Sequence, residues 1–270
     1  MNTKSSPGQI EFIRDGFKIN IRGDGRKNDQ SREYLIQTGQ LKQANGSSFI
    51  SLNDNSVNIY TGIKVEIGET DNDEGKIILK IESAQRTEQN RDQENHINSD
   101  KNTLIYLEAL LNKYLIQNIC KKSLCIVEKK KCWILNIDVF ILESVEIAYL
   151  NLMAAGINAA LEDLVLPKIS ITHNNLTNED EITLIEEQFQ SFSISRDFKM
   201  PKILLIGQID RILVGDLTVD EYYSVENKYI VVVDVYENKI ISIKKTGSGF
   251  LPPEDYAKIV QFALSSALKK

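Results

Sequence analysis

Cys132-Trp133-Ile134-Leu135-Asn136-Ile137-Asp138-Val139-Phe140-Ile141-Leu142, together with the residues from there to Pro167, decides the fold of this chain. The run is almost continuously apolar and rich in β-branched and aromatic residues, which predicts a strand buried on both faces. After Glu143–Ala148, the segment Tyr149–Leu161 puts Leu150, Met153, Ala154, Ile157, Ala160 and Leu161 on one helical face. Its Ala and Gly residues allow that helix close to a sheet. Pro167 bars further helix and starts the next extended segment. A central strand feeding a helix places the loop 143–148 at a strand's C-terminal end and a helix's N-terminus. Backbone N–H groups and the helix dipole bind phosphate in that geometry. The loop reads Glu143-Ser144-Val145-Glu146-Ile147-Ala148, with no glycine, no Lys or Arg, and two carboxylates. Two acids where an anion would sit argue against phosphate.

Working outward, 270 residues allow one large domain or two closely packed ones. The 42% hydrophobic and 26% charged content is that of a globular protein. A net charge of -6 excludes nucleic-acid binding by bulk charge, though not by a local basic patch. Cys120, Cys125 and Cys132 lie in or beside apolar runs and match no zinc spacing; they read as reduced packing residues. With only His96 and His173 there is no multi-histidine metal site, so neither metal nor cofactor is expected. No apolar run reaches the length of a membrane span, and nothing at the N-terminus reads as a targeting sequence.

Before the deciding stretch, Ser6-Pro7 starts a short helix in which Ile10, Ile13 and Phe17 face one way and Gly16 marks the end. Arg22-Gly23-Asp24-Gly25-Arg26 reads as a turn with a salt bridge, with Arg32 following before an extended run from Glu33 to Leu41. Asn45-Gly46-Ser47-Ser48 is a turn signal, and Phe49–Leu52 with Val57–Thr61 forms a hairpin. The second strand continues through Ile63, Val65 and Ile67, and Gly75–Ser83 alternates again with Ile77, Leu79 and Ile81 inward. Ala84–Lys101 is a polar surface loop whose Arg86 and Arg91 are free to meet an anion. Ser99 or Asp100 then caps a helix with the stripe Leu104, Leu107, Leu111 and Leu115. Lys129-Lys130-Lys131 is the solvated tip between strands 123–128 and 132–142.

Beyond it, Ile169–Ile171 is a short strand and Asn174–Glu187 a polar excursion. Lys202–Gly207 and Ile209–Val214 pair, and Asp216, Asp220 and Glu221 make an acidic cluster at a strand end, which reads as solvated or salt-bridged. Tyr229–Tyr236 and Lys239–Lys245 form a tight hairpin. A last helix from Pro252 turns Tyr256, Ile259, Val260, Ala263, Leu264 and Ala267 inward. Hairpin-then-helix occurs at 123–163 and again at 229–269, which predicts two structural halves in one α+β layered domain.

Taken in order, these pieces resemble the RNase PH-like ring subunits of the RNA exosome. Asp24-Gly25-Arg26 with Arg32 matches the family's opening signature. Asn45-Gly46-Ser47-Ser48 and Thr61-Gly62-Ile63-Lys64-Val65-Glu66-Ile67-Gly68 resemble its Gly-Ser strand and the strand after it. Leu124-Cys125-Ile126, Cys132-Trp133, Asp138-Val139, Leu142-Glu143, Ala159-Ala160-Leu161, Pro167, Lys245-Thr246-Gly247-Ser248-Gly249 and Pro253-Glu254 are most similar to the non-catalytic ring branch of that family. The likeness spans nearly the whole chain apart from 84–101 and 173–197.

It implies an RNase PH-like (ribosomal protein S5 domain 2-like) α+β fold of two βαβ-type halves, about 22–172 and 198–270, with the excursion at 173–197. Six such subunits form a ring around a pore. Phosphorolytic members cleave RNA from its 3′ end and hold phosphate in a Gly-Gly-Thr/Ser-Arg loop, where this chain has Ser144-Val145-Glu146-Ile147. The non-catalytic branch usually has Gly-Gly-Asn there and then an Asp, where this chain has Asn151. Asp216 and Glu221 fall where catalytic members carry acids, and that branch keeps acids there without activity. The resemblance therefore implies no catalytic residues, with an active phosphorolytic 3′-exoribonuclease as the alternative. Its implied partners are other ring subunits, cap subunits, an attached nuclease and RNA in the pore, in nucleus, nucleolus and cytoplasm and away from membranes. RNA contact would fall to Arg86, Arg91 and Lys113.

Overall fold

The computed structural model of the chain describes residues 6–53, 56–84, 94–174, 179–191 and 200–268. Helix α1, Pro7–Lys18, opens with Ser6 accepting from the Gln9 N–H at 3.3 Å and with proline in the first turn, where a missing N–H costs nothing. Gly16 lies inside α1 and does not end it; Phe17 is its buried anchor.

The first sheet is built from β1 (Tyr34–Thr38), β2 (Gly46–Leu52), β3 (Asn58–Glu69), β4 (Lys76–Ser83), β5 (Cys125–Val127) and β6 (Lys131–Ile141). Its order is β1-β2-β3-β6-β4, with β5 also paired to β6. Only β4 runs parallel to β6, and helix α2, Glu94–Tyr114, supplies the crossover a parallel pair needs. The helix begins at Glu94, ahead of the Ser99 or Asp100 cap expected from sequence. In the apolar stripe Leu104, Leu107, Leu111 and Leu115 are all buried, while Asn102 and Lys101 ahead of it are exposed.

β6 lies inside the sheet, but its two faces differ. Leu135, Ile137, Val139 and Ile141 are buried, whereas Asp138 and Phe140 are exposed. Two-sided burial fails because α2 and the following helix, α3 (Leu150–Glu162), cover one face, and no described helix packs on the other. α3 is the centre of the molecule. Leu150, Met153, Ile157, Ala160 and Leu161 are at most 1% exposed, each large apolar side chain contributing about 1.5–3 kcal/mol relative to exposure. Close approach comes from glycine: a Cβ on Gly46 would sit 2.5 Å from the Ala160 carbonyl oxygen, and one on Gly156 3.1 Å from Thr61 Oγ1.

After α3, β7 (Val165–Asn174) and β8 (Glu179–Ser191) pair as an antiparallel ribbon. The polar excursion expected at 173–197 is thus largely strand. The ribbon is anchored at its base by Leu166 and Ile169, which pack on the core, while Ile171, Leu184 and Ile185 stay exposed, so no continuous stripe announces it.

The second sheet, order β10-β9-β11-β12, contains β9 (Lys202–Ile209), β10 (Ile212–Gly215), β11 (Asn227–Asp234) and β12 (Lys239–Thr246). A short helix, α4 (Val219–Ser224), separates β10 from β11, and α5 (Pro253–Leu268) closes the chain. Ile203, Leu205, Ile230 and Val232 join the core around α3, while Ile206, Tyr229, Val231 and Val233 pack on Ile259, Ala263 and Ala267 of α5. β11 is therefore the strand buried on both faces. Tyr256, expected inward, is half exposed; Asp255 takes the buried place and accepts from Gln208 Nε2 at 3.1 Å. The α+β layers run sheet, α3 with α2, sheet, α5.

Candidate functional site

The chain leaves β10 at Gly215 and turns sharply at Asp216, whose φ of 50° is left-handed, a region that Asp tolerates better than most residues. Thr218 then caps α4: its Oγ1 accepts from Glu221 N–H at 3.4 Å, and Glu221 Oε2 accepts from Thr218 N–H at 2.8 Å. This is a capping box, and Thr218-x-x-Glu221 is its sequence signature. The box fixes Glu221 where the opening arginine turn can reach it.

Arg22, 3% exposed, donates from Nε to Glu221 Oε1 at 2.8 Å and pairs with Oε2 through Nη2. Its remaining donors go to the carbonyls of Gly215 at 2.9 Å, Gln30 at 3.2 Å and Asp216 at 2.9 Å. Arg26 pairs with Asp24 at 2.7 Å within its own turn, as the sequence predicts, and reaches on to the Asp216 carboxylate at 3.2 Å. Arg32 donates to that carboxylate from its backbone N–H at 2.5 Å, from Nε at 3.1 Å and from Nη2 at 2.6 Å. Asn151 Nδ2, in the first turn of α3, adds a further bond at 2.9 Å. Arg32 Nη2 also donates to the Ala148 carbonyl at 2.9 Å, tying the acid cluster to the loop after β6.

Burial opposes ionisation of the Asp216 carboxyl. The hydrogen bond and charge of Arg32, with its backbone N–H and the charge of Arg26, outweigh burial and hold Asp216 below the usual carboxylate range. Arg32 moves the other way: burial lowers it, but the bond to Asp216 and that acid's charge leave it raised. Arg26 is lowered by burial and by the neighbouring Arg22.

The loop itself is closed on its own acids. Glu143 accepts from the backbone N–H of Asn58 at 2.7 Å and from its side-chain amide at 2.9 Å. Glu146, 4% exposed, accepts from the Tyr223 hydroxyl at 3.0 Å. Beside it, Tyr222 sits edge-on to Tyr223 with ring centroids 5.4 Å apart, and Lys228 Nζ lies 4.8 Å from the Tyr222 centroid. Burial, then Tyr106 and Glu146, push the Tyr222 hydroxyl up to about 12. No sequence signal singled out this tyrosine–lysine group, because its members come from three separate elements.

A cleft of about 1540 Å³ opens between β1, α3 and β9, with Arg26, Arg32, Asn151, Asn158 and Asp216 in its wall. Asp220 stays exposed and does not join Asp216 and Glu221. Among the described residues no group of three His, Cys, Asp or Glu side chains could hold a metal. Lys113 is exposed on α2, its Nζ 5.2 Å from the Tyr114 ring centroid. Arg86 and Arg91 lie outside the described residues. Chemically, the Asp216 carboxylate is saturated, while Arg26 Nη2, Asn151 Oδ1 and Asn158 Oδ1 are buried in the same cleft wall with no hydrogen-bond partner among the described residues. A general base needs a free lone pair and a carboxyl poised to take a proton, and Asp216 offers neither.

Comparison with known proteins gives this geometry its context. The chain is 27% identical over 251 residues to exosome complex component rrp42 of Schizosaccharomyces pombe, covering 87% of this chain and 79% of that protein. It is 26% identical over 270 residues to exosome complex component Rrp42 of Thermococcus kodakarensis, covering 97% and 89%. Among solved structures, a chain of the Archaeoglobus fulgidus exosome with RNA bound to the active site superposes with a TM-score of 0.70 at 18% identity, covering 96% of this chain and 94% of that one. A chain of an archaeal exosome core gives 0.67 at the same identity, covering 96% and 93%. The model of domain 1 of the 3′ exoribonuclease family, RNase PH, matches residues 30–167, just over half of the chain. The chain therefore belongs to the 3′ exoribonuclease family and has its RNase PH-like α+β fold.

Proposed function

We propose that this chain is a catalytically inert subunit of an exosome ring, one that pairs with RNase PH-like neighbours and cap subunits and guides RNA toward an attached nuclease. Its relatives' names as exosome components support the ring, and their coverage of most of the chain supports an equivalent place in it. One observation carries the inertness. The acid at the catalytic position, Asp216, has its carboxylate committed to Arg26, Arg32 and Asn151, while the loop 143–148 carries no Lys or Arg to hold a phosphate and turns its Glu146 inward onto Tyr223. Phosphate attack on a phosphodiester needs positive charge around the transferred group and a site open to it. RNA would instead be met through its phosphates by Arg86, Arg91 and Lys113, since a conduit must accept any sequence.

The test is phosphorolysis itself. The chain, purified alone and with a ring partner that is itself inactive, is incubated with single-stranded RNA with and without inorganic phosphate. No phosphate-dependent release of nucleoside diphosphates is expected. Release above the phosphate-free control would assign the chain to the active phosphorolytic exoribonucleases.

A further inference from the structure

Cys125 on β5 and Cys132 on β6 stand opposite each other as register partners across the hairpin, and both are free thiols. Directly opposed residues of an antiparallel pair project to the same face of the sheet. Their Cα atoms lie about 4.5 Å apart in a non-hydrogen-bonded pair and about 5.5 Å apart in a hydrogen-bonded one. Both spacings fall inside the roughly 4.4–6.8 Å that a disulfide bridges. The connection is tight: Lys130 N–H closes the turn on the Val127 carbonyl at 3.1 Å, Thr70 N–H ties that turn to the end of β3 at 3.2 Å, and the register shifts by a bulge between Cys125 and Val127. We propose that Cys125 and Cys132 are a modification site, forming a reversible intrachain disulfide when the chain meets a peroxide.

The exposure of the two sulfurs sets the order of events. Cys125 is half-buried and Cys132 fully buried, so the oxidant reaches Cys125 first. The Cys125 thiol loses its proton, the thiolate attacks hydrogen peroxide, the O–O bond breaks, and Cys125 becomes a sulfenic acid while the leaving hydroxide takes up that proton as one water. The Cys132 sulfur then attacks the Cys125 sulfur. The S–S bond forms, the S–O bond breaks, and the departing hydroxide leaves as a second water with the Cys132 proton. Burial, followed by Asp73, Glu128 and Cys132 itself, pushes the Cys125 thiol up, so the first step is slow at neutral pH. The bond would staple β5, whose one partner among the described strands is β6, to the first sheet.

The test uses the full chain carrying Cys120→Ser, which removes the exposed competitor. After peroxide treatment and alkylation of the remaining thiols, the protein is digested with trypsin without reduction. Lys129, Lys130 and Lys131 place the two cysteines in different peptides, so a linked pair is unambiguous. The expected result is a Cys125–Cys132 peptide pair, a chain lighter by two hydrogens, and full reversal by dithiothreitol. Cys125→Ser in the same background should leave Cys132 a free thiol, alkylated once the chain is unfolded. Cys125 accumulating as sulfinic acid beside an unlinked Cys132, or both thiols surviving a peroxide excess that oxidises free cysteine, overturns the proposal.

Discussion

Asp216 is where the chemistry of this chain is concentrated, and its substitution tells a structural role from a catalytic one. Replacing it with asparagine leaves Arg32 and Arg26 without their buried counter-charge, and breaking a buried pair in this way costs about 3–5 kcal/mol. Because the folded-state pKa lies below the unfolded value of about 3.9, Asp216 stabilises the fold fully above that value and loses its contribution as pH falls through the folded one. Urea unfolding at pH 7 should therefore separate Asp216→Asn from the parent by that margin, with the gap closing below about pH 4. A gap that persists unchanged in acid would place the stabilisation elsewhere. Lys113 belongs to the same scale. Exposed and bearing no ion pair among the described residues, it should lower the salt slope of RNA binding by roughly one unit when changed to alanine in the assembled ring, with base preference unchanged. An unmoved slope would mean that Lys113 does not touch the strand. The sequence showed the Asp24–Arg26 pair because the two residues are neighbours. It hid Arg22 with Glu221, and Arg32 with Asp216, because the pairing residues stand nearly two hundred positions apart. The Thr218-x-x-Glu221 capping box was legible and would have fixed half of that geometry.

At the scale of elements, α3 and its approach to β2 decide whether the layers close. Gly46 opens β2 directly beneath the end of α3, where a methyl group would meet the Ala160 carbonyl oxygen at 2.5 Å and Leu164 Cα at 2.8 Å. Both are backbone atoms and neither can swing aside, so Gly46→Ala should destabilise the chain by about 1–3 kcal/mol, as overpacking does. Chemical denaturation measures this directly, and a neutral result would mean that α3 shifts without cost. Elements with a packed apolar face were readable in advance: the α2 stripe, the alternation of β3 and β4, the small-residue face of α3. β6 misled because Phe140 and Ile134 extend an apolar run on a face that no described helix covers, and periodicity cannot register which faces are covered. β8 was missed for the opposite reason, since strands in a ribbon pair through backbone and leave no trace in hydropathy.

The whole molecule leaves apolar surface that a solitary chain has no use for. Leu35, Ile78 and Phe140, on the face of the first sheet away from α2 and α3, are 50%, 44% and 37% exposed, and β1 is an edge strand exposed at all five residues. Exposed apolar surface and unpaired strand edges are hazards in a monomer and ordinary in a subunit. The proposed pore and neighbours, by contrast, rest on resemblance alone, because nothing in one chain's periodicity encodes a second chain. If the ring reading holds, stability is linked to assembly. A partner that binds only the folded chain, present at a hundred times its dissociation constant, adds about 2.7 kcal/mol, which for a chain of this size raises the thermal midpoint by several degrees. Co-expression with an RNase PH-like partner should therefore give co-elution in size exclusion and a midpoint that climbs with partner concentration. The comparison must be made with the same chain alone and with an unrelated protein at equal concentration, since crowding alone contributes only about 0.2–1 kcal/mol. A midpoint that stays fixed across the partner series, with the two proteins eluting apart, would remove the chain from the ring while leaving its membership of the family untouched.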